Sequence, residues 1–182
     1  MNSNTHRLRD KVIFVTGAYG LIGNRISREF LSQGAKVVLA DIAEEKASEV
    51  ERSLAADFPE ANFITIHLDI TSEESCITAV NAAVERFGRL DVLVNNAAID
   101  AKFDKENVAS INPSRFENYP VDLLRKSVDV NLTGTVIMTQ CACRQMLKQK
   151  SGNIINVAST YSVVAPNQSL YDFGDGIKQF KP

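Results

Sequence analysis

Three glycines and one aspartate carry the first chemical signal in this chain. An apolar run, Lys11 to Val15, leads into Thr16-Gly17-Ala18-Tyr19-Gly20-Leu21-Ile22-Gly23. Glycine at a tight strand-to-helix turn lets backbone N–H groups approach a pyrophosphate, and the N-terminus of the next helix adds partial positive charge. A second apolar run, Lys36 to Ala40, ends at Asp41-Ile42. A carboxylate at that point accepts both hydroxyls of an adenosine ribose and repels a 2′-phosphate. No Arg or Lys stands in the glycine turn or just after Asp41 to hold such a phosphate. The pattern predicts a dinucleotide turn that takes NAD over NADP, lined by Gly17, Tyr19, Gly20, Leu21, Ile22, Gly23, Asp41 and Ile42. Asp41 also reads as a helix N-cap, and the two roles coexist if the side chain turns to the ligand.

The elements that must position these residues alternate along the chain. Lys11–Val15, Lys36–Ala40, Asn62–Leu68, Asp91–Val94 and Asn153–Val157 read as strands. Helices follow from about Gly20 to Gln33, with Gly34 as the residue that ends it, and from Asp41 to about Ala56, with Asp41 and Glu44 at capping-box spacing. Thr71 and Glu74 repeat that spacing before a helix that ends near Gly88. A long polar stretch, Asp100 to Tyr119, reads as a loop, and Val121 to about Lys150 as one long helix ended by Gly152. Apolar strands without alternation imply a parallel sheet covered on both faces. The fold class is therefore α/β, a Rossmann-type doubly wound sheet in three layers.

Composition narrows the function classes. The 182 residues are 45% hydrophobic and 23% charged, which fits one soluble domain. A net charge of −2 and a pI near 5.7 give no basic surface for nucleic acid or an anionic membrane. No apolar run reaches the roughly 18 residues of a membrane span, and the N-terminus has no secretory pattern. The odd set Cys76, Cys141 and Cys143 predicts reduced, packing thiols in a cytoplasmic protein. Cys141 and Cys143 fall on different faces of their helix. His6 and His67 are too far apart in sequence to suggest a metal site, so no metal is expected.

From about Arg9 to Ser159 the chain resembles the short-chain dehydrogenase/reductase family. One motif departs from the family's typical form: the middle glycine is Gly20, and Leu21 stands where the family carries glycine. That spacing is the one usual in extended members such as nucleotide-sugar epimerases. Asp69-Ile70 matches the pair that brackets adenine. Asn95-Asn96-Ala97-Ala98 matches Asn-Asn-Ala-Gly, with Ala98 for the glycine, a segment that stabilises the sheet and lies along the adenosine ribose. The resemblance implies that Asn131 breaks the long helix and holds a water of the proton relay. It also implies that Ser159 hydrogen-bonds the substrate carbonyl or hydroxyl. The implied strand order is 3-2-1-4-5, with strands six and seven beyond it.

The family's acid/base tyrosine and the lysine four residues after it have no counterpart. The tyrosine position falls on Asp172, while Tyr171 and Tyr161 are followed four residues later by Asp175 and Ala165. Ala158 to Pro182 resembles a branch with a longer loop, in which the Tyr and Lys follow a Lys-Pro such as Lys181-Pro182. Members of that branch act in flagellin modification and related surface-sugar pathways. The expectation is a single NAD(P)-binding domain, residues 1–182, that stops short of the catalytic tyrosine and is inactive as such. Its full-length form would be an NAD-dependent oxidoreductase acting on an alcohol or carbonyl substrate, sugar-related metabolites included. That form is expected to be a homo-oligomer, dimer or tetramer, with Leu132, Val136 and Met146 uncovered where the neighbouring helix is missing. Two alternatives stay open: a catalytically dead nucleotide-binding module, and an extended-type epimerase or dehydratase. Asn95 and Asn131 lie 36 positions apart, wider than the family's usual spacing, which places Asp100 to Tyr119 at the edge of the active site.

Overall fold

A computed structural model describes residues 7–100, 116–165 and 167. They fall into two compact units, residues 7–98 with 130–157, and residues 99–100, 116–129, 158–165 and 167. The first unit holds a five-stranded parallel sheet of β1 (Val12–Thr16), β2 (Lys36–Asp41), β3 (Phe63–His67), β4 (Val92–Asn95) and β5 (Asn153–Asn156). The strand order is β3-β2-β1-β4-β5, which the family resemblance implied. Between the strands run α1 (Leu21–Ser32), α2 (Ala47–Ala55), α3 (Glu73–Phe87) and α5 (Thr135–Lys148). The second unit carries α4 (Val121–Val128) and single 3₁₀ turns at Phe116–Asn118 and Thr160–Ser162.

Successive strand residues point to opposite faces, and the core follows that rule. Val12, Phe14, Val38 and Leu93 join Val80, Ala83, Met138 and Ala142 on the face of α3 and α5. Ile13, Val15, Val37 and Leu39 join Leu31, Val50 and Leu54 on the face of α1 and α2. The central strands are buried on both faces, so they read as unbroken apolar runs.

Several local expectations need correction. Asp41 does not close a capping box: a 3₁₀ turn, Glu44–Lys46, precedes α2, and no side chain caps that helix. The cap of α3 is Ser72, whose hydroxyl accepts from Ser75 N, one residue later than expected. The stretch from Val121 is not one helix, because a π turn, Asp129–Gly134, separates α4 from α5. Gly152 does not end α5. Lys150 adopts the left-handed φ of +56° there, and Ser151 N donates to Met146 O at 3.1 Å. Gly152 is needed because a Cβ would come within 2.3 Å of the Met146 side chain. Met146 is accordingly buried, whereas Leu132 and Val136 are exposed. Of the expected loop Asp100 to Tyr119, residues 101–115 lie outside the described residues, as do His6, Tyr171 and Lys181-Pro182.

Candidate functional site

All five strands are parallel, so their carboxyl ends share one edge of the sheet. The connections leave β1 towards β2 and β3, then cross back to β4 and β5. The switch point lies between β1 and β4, where doubly wound sheets bind ligands. The predicted glycine turn and the Asn-Asn-Ala-Ala segment meet there.

Thr16, the last residue of β1, ties them together. Its hydroxyl donates to Val94 O at 3.4 Å and accepts from Asn96 N and Ala97 N, both at 3.0 Å. The Asn96 amide donates to Thr16 O and Gly17 O at 2.9 and 3.1 Å. Asn95 is buried and donates to Thr139 Oγ1 and Asn156 Oδ1 at 2.9 and 2.8 Å, joining β4 to α5 and β5. The clamp leaves no room for side chains on two glycines. Gly17 has φ +62°, and its Cβ would lie 2.7 Å from Ala97 Cα; a Cβ on Gly23 would lie 2.2 Å from Gly17 O. Gly20 has more space, 3.4 Å to the nearest atom, and serves as the N-cap of α1 without a side-chain bond. Leu21, in the family's glycine position, is 92% exposed and obstructs nothing.

Asp41 ends β2 with its carboxylate fixed from two sides. Oδ2 accepts from Tyr19 N at 2.9 Å and Oδ1 from Ala43 N at 3.0 Å. Each oxygen keeps an acceptor site for a hydroxyl. Ile42, next to it in sequence, and Ile22, in the first turn of α1, are both exposed. Burial pushes the Tyr19 phenol up to about 12, a hydrogen bond with Thr65 opposes the rise, and Asp41, Glu51 and Glu44 add to it. The tyrosine stays neutral, and the ground around Asp41 is negative.

Asp69-Ile70 follows β3. Asp69 Oδ1 accepts from Thr71 N and Thr71 Oγ1 at 2.9 and 2.7 Å, and Asp69 N donates to Ser75 Oγ at 3.1 Å. The buried Cys76 thiol reaches Ile70 O at 3.6 Å. Burial raises that thiol to about 12, and burial raises Cys141 as well. All three cysteines are free thiols, Cys143 being the partly exposed one, so Cys141 and Cys143 do face different ways.

Asn131 lies in the π turn, and its carbonyl accepts from Thr135 Oγ1 at 3.0 Å. Ser159 belongs to the second unit. Its hydroxyl accepts from Tyr161 N at 3.1 Å and caps the Thr160–Ser162 turn. Among the described residues no cluster of His, Cys, Asp or Glu could hold a metal.

Sequence reasoning missed Thr16 as the hub of the clamp and Gly134 as a packing glycine. Glycine inside a helical pattern, unfavourable by about 1 kcal/mol against alanine, was the available signal for the second. The chemistry of the donors and acceptors suits a nicotinamide dinucleotide: an exposed α1 N-terminus, with no side-chain cap and no acidic residue in its first turn, for the pyrophosphate, and a carboxylate with spare acceptor sites for the ribose.

A family model described as short chain dehydrogenase matches residues 11–172. Borneol dehydrogenase, mitochondrial, of Lavandula x intermedia is 38% identical over 87% of this chain and 55% of its own length. Trans-4-hydroxycyclohexanecarboxylate dehydrogenase of Sinomonas cyclohexanicum is 34% identical over 94% of this chain and 63% of its own length. A crystal structure of NAD+-bound xylitol dehydrogenase superposes with a TM-score of 0.75 at 30% identity, covering 88% of this chain and 57% of that one. The chain thus spans somewhat more than half the length of these relatives.

Proposed function

Because the chain belongs to the short chain dehydrogenase family, we propose that the protein is an NAD(H)-dependent oxidoreductase that interconverts an alcohol and a carbonyl compound. The observation that carries this reading is Asp41, held at the end of β2 by Tyr19 N and Ala43 N with acceptor capacity to spare. Gly17, Gly20, Leu21, Ile22 and Gly23 would face the pyrophosphate and Asp41 the adenosine ribose. Asp69 and Ile70 would bracket adenine, and Asn96, Ala97 and Ala98 would line the ribose. The nicotinamide, when bound, supplies hydride acceptance or donation. Asn131 would hold a water of the proton relay, and the Ser159 hydroxyl would orient the substrate oxygen.

The names of two relatives, a borneol dehydrogenase and a hydroxycyclohexanecarboxylate dehydrogenase, favour secondary alcohols on carbon rings. A third, xylitol dehydrogenase, keeps sugar-related polyols among the candidates. The free thiols fit a reducing cytoplasm, and among the described residues no helix is long and apolar enough to cross a membrane. Exposed Leu132, Val136 and Leu147 support a homo-oligomer, dimer or tetramer, readable by light scattering. Titration of the full-length protein with NADH and NADPH tests the central reading. Tighter binding of NADH, with NADH formed from an alicyclic alcohol or polyol, supports it. Equal affinity for both cofactors would overturn the assignment, and binding without turnover on any alcohol would favour a nucleotide-binding module.

A further inference from the structure

The adenine pair and the Asn131 turn touch at one point. Gly134 closes the π turn, is buried, and stands against Ile70. A Cβ built on Gly134 would lie 2.8 Å from Ile70 Cγ1, 3.0 Å from Ile70 Cδ1 and 3.2 Å from the Ile70 carbonyl carbon. Real side chains do not pack that closely, so one partner has to move. Ile70 has little freedom to do so. It is 6% exposed, its carbonyl takes the Cys76 thiol, and Asp69 before it is tied to Thr71 and Ser75. The π turn is the softer partner, because its ladder is already displaced from the α-helical register. π bulges of this kind concentrate at functional sites.

We propose that Gly134 is a positioning residue that seats the Asn131 turn on Ile70, so that occupation of the adenine end steadies the segment carrying the proton-relay asparagine. The inference rests on the nucleotide-site reading above. Adenine bound through the Ile70 N–H would hold the 69–70 backbone. The Ile70 side chain then leaves the π turn less room to open, since opening has to displace Cγ1 and Cδ1. A glycine at 134 lets this contact close; any Cβ there would lift the turn away.

AMP is the probe, because it reaches only the adenosine half of the groove. Hydrogen exchange of the full-length protein is followed by mass spectrometry with and without AMP. Wild type should show slowed exchange at residues 17–23 and also, several-fold, at residues 130–135. Ile70→Ala also trims the adenine site, so each protein is compared at AMP concentrations that saturate it, and this variant should then lose the protection at 130–135 relative to that at 17–23. Gly134→Ala should weaken AMP binding about tenfold, and the double variant Gly134→Ala with Ile70→Ala should recover most of that loss, because the obstructing side chain is gone. If Gly134→Ala does not fold, the wild-type and Ile70→Ala comparison decides alone. AMP protection confined to 17–23 in the wild type, or unchanged at 130–135 in Ile70→Ala, would overturn the coupling while leaving the nucleotide site intact. Protection nowhere would overturn the nucleotide-site reading, and the coupling with it.

Discussion

The two ends of the sheet use the same strands and opposite strategies. At the amino end the Asp91 carboxylate and the Gln149 amide are consumed within the unit. Asp91 is buried and accepts from Val12 N at 2.9 Å, with Arg89 at 2.6 Å and Lys11 at 3.6 Å from its other oxygen. The Gln149 side chain brackets Leu90, accepting from its N–H at 3.2 Å and donating to its carbonyl at 2.6 Å. At the carboxyl end the chain also builds a tight clamp, Thr16 with Asn96, but one that leaves acceptor sites on Asp41 and exposed Leu21, Ile22 and Ile42 around it. A parallel sheet has no intrinsic preference that strong. The difference lies in which end closes its hydrogen bonds internally and which end leaves capacity for a ligand.

The largest test of this contrast is a methyl group. Gly23→Ala drives a Cβ into Gly17 O and Ala18 Cα, at 2.2 and 2.8 Å, backbone atoms that cannot swing aside. Loss of about 3 kcal/mol in stability is expected, together with loss of NADH binding beyond the stability effect. Urea melts and NADH fluorescence read the two separately. A Gly23→Ala protein that keeps wild-type cofactor affinity would break the claim that this turn is the pyrophosphate seat.

Much of this end was legible in the sequence, and the reason is physical. Gly17 and Gly23 are forced by contacts that no other residue survives, and Asp41 by a strand end, so residue type and spacing encode them directly. Less legible were features set by three-dimensional competition. Asp41 gave up its helix-cap role because Tyr19 N and Ala43 N reached it first. Ser72 displaced Thr71 as the cap because Asp69 Oδ1 captured both Thr71 donors. The π turn at Asp129–Gly134 has no periodicity signal of its own, and only the family resemblance of Asn131 marked it. At the other end, nothing in the sequence announced Asp91 as a staple, since its partner is a backbone N–H 79 positions away.

Asp91 gives the matching test at the amino end. Asp91→Ala leaves the buried Val12 N–H without its acceptor, for an expected loss of about 2–3 kcal/mol, with NADH affinity unchanged. Its ionisation adds a pH signature. Burial alone would raise the Asp91 carboxyl, but the Val12 N–H, Arg89 and Lys11 outweigh it and hold the group below the usual carboxylate range. A depressed folded-state value means the stabilisation is complete above the unfolded value near 4, and is lost as pH falls through the folded one. The acid limb of the wild-type stability profile should therefore flatten in Asp91→Asn. A cofactor affinity that drops with Asp91 would erase the distinction between the ends.

A smaller effect should appear with Asp41→Ala. The residue is half-buried and its bonds are local, so melting should shift little. NADH affinity should fall about tenfold, the scale of a charge-assisted hydrogen-bond pair, and NADPH affinity should hold or rise. Glu44 and Glu51 keep the ground around Tyr19 negative, so the single change narrows the preference without inverting it. Inversion to a strong NADPH preference would show that Asp41 alone sets the field. Raising the salt concentration should help NADPH more than NADH in the wild type, because Glu44 and Glu51 are exposed and their repulsion of a 2′-phosphate is screened.

The smallest effect belongs to Lys150, in the turn that delivers the chain to the amino end of β5. Its φ of +56° is left-handed, a region in which a lysine is less stable than glycine by roughly 1 kcal/mol. The turn satisfies the last carbonyls of α5 through Lys150 N and Ser151 N, so the conformation is imposed by the helix end and not by a ligand. Glycine adopts it without the Cβ clash, although it also gains freedom in the unfolded chain. The balance predicts that Lys150→Gly stabilises the protein by about 0.5 kcal/mol, with an unchanged denaturant slope and unchanged NADH affinity. Gly17 has nearly the same backbone angle, φ +62°, at the opposite end. There the converse substitution, Gly17→Lys, should abolish the clamp, since Ala97 Cα would lie 2.7 Å from its Cβ. Strain at the amino end is thus relieved by glycine at no functional loss, whereas at the carboxyl end glycine is the only residue the clamp accepts. A Lys150→Gly protein that melts lower, or binds NADH more weakly, would show that the amino end also carries a constraint linked to the ligand.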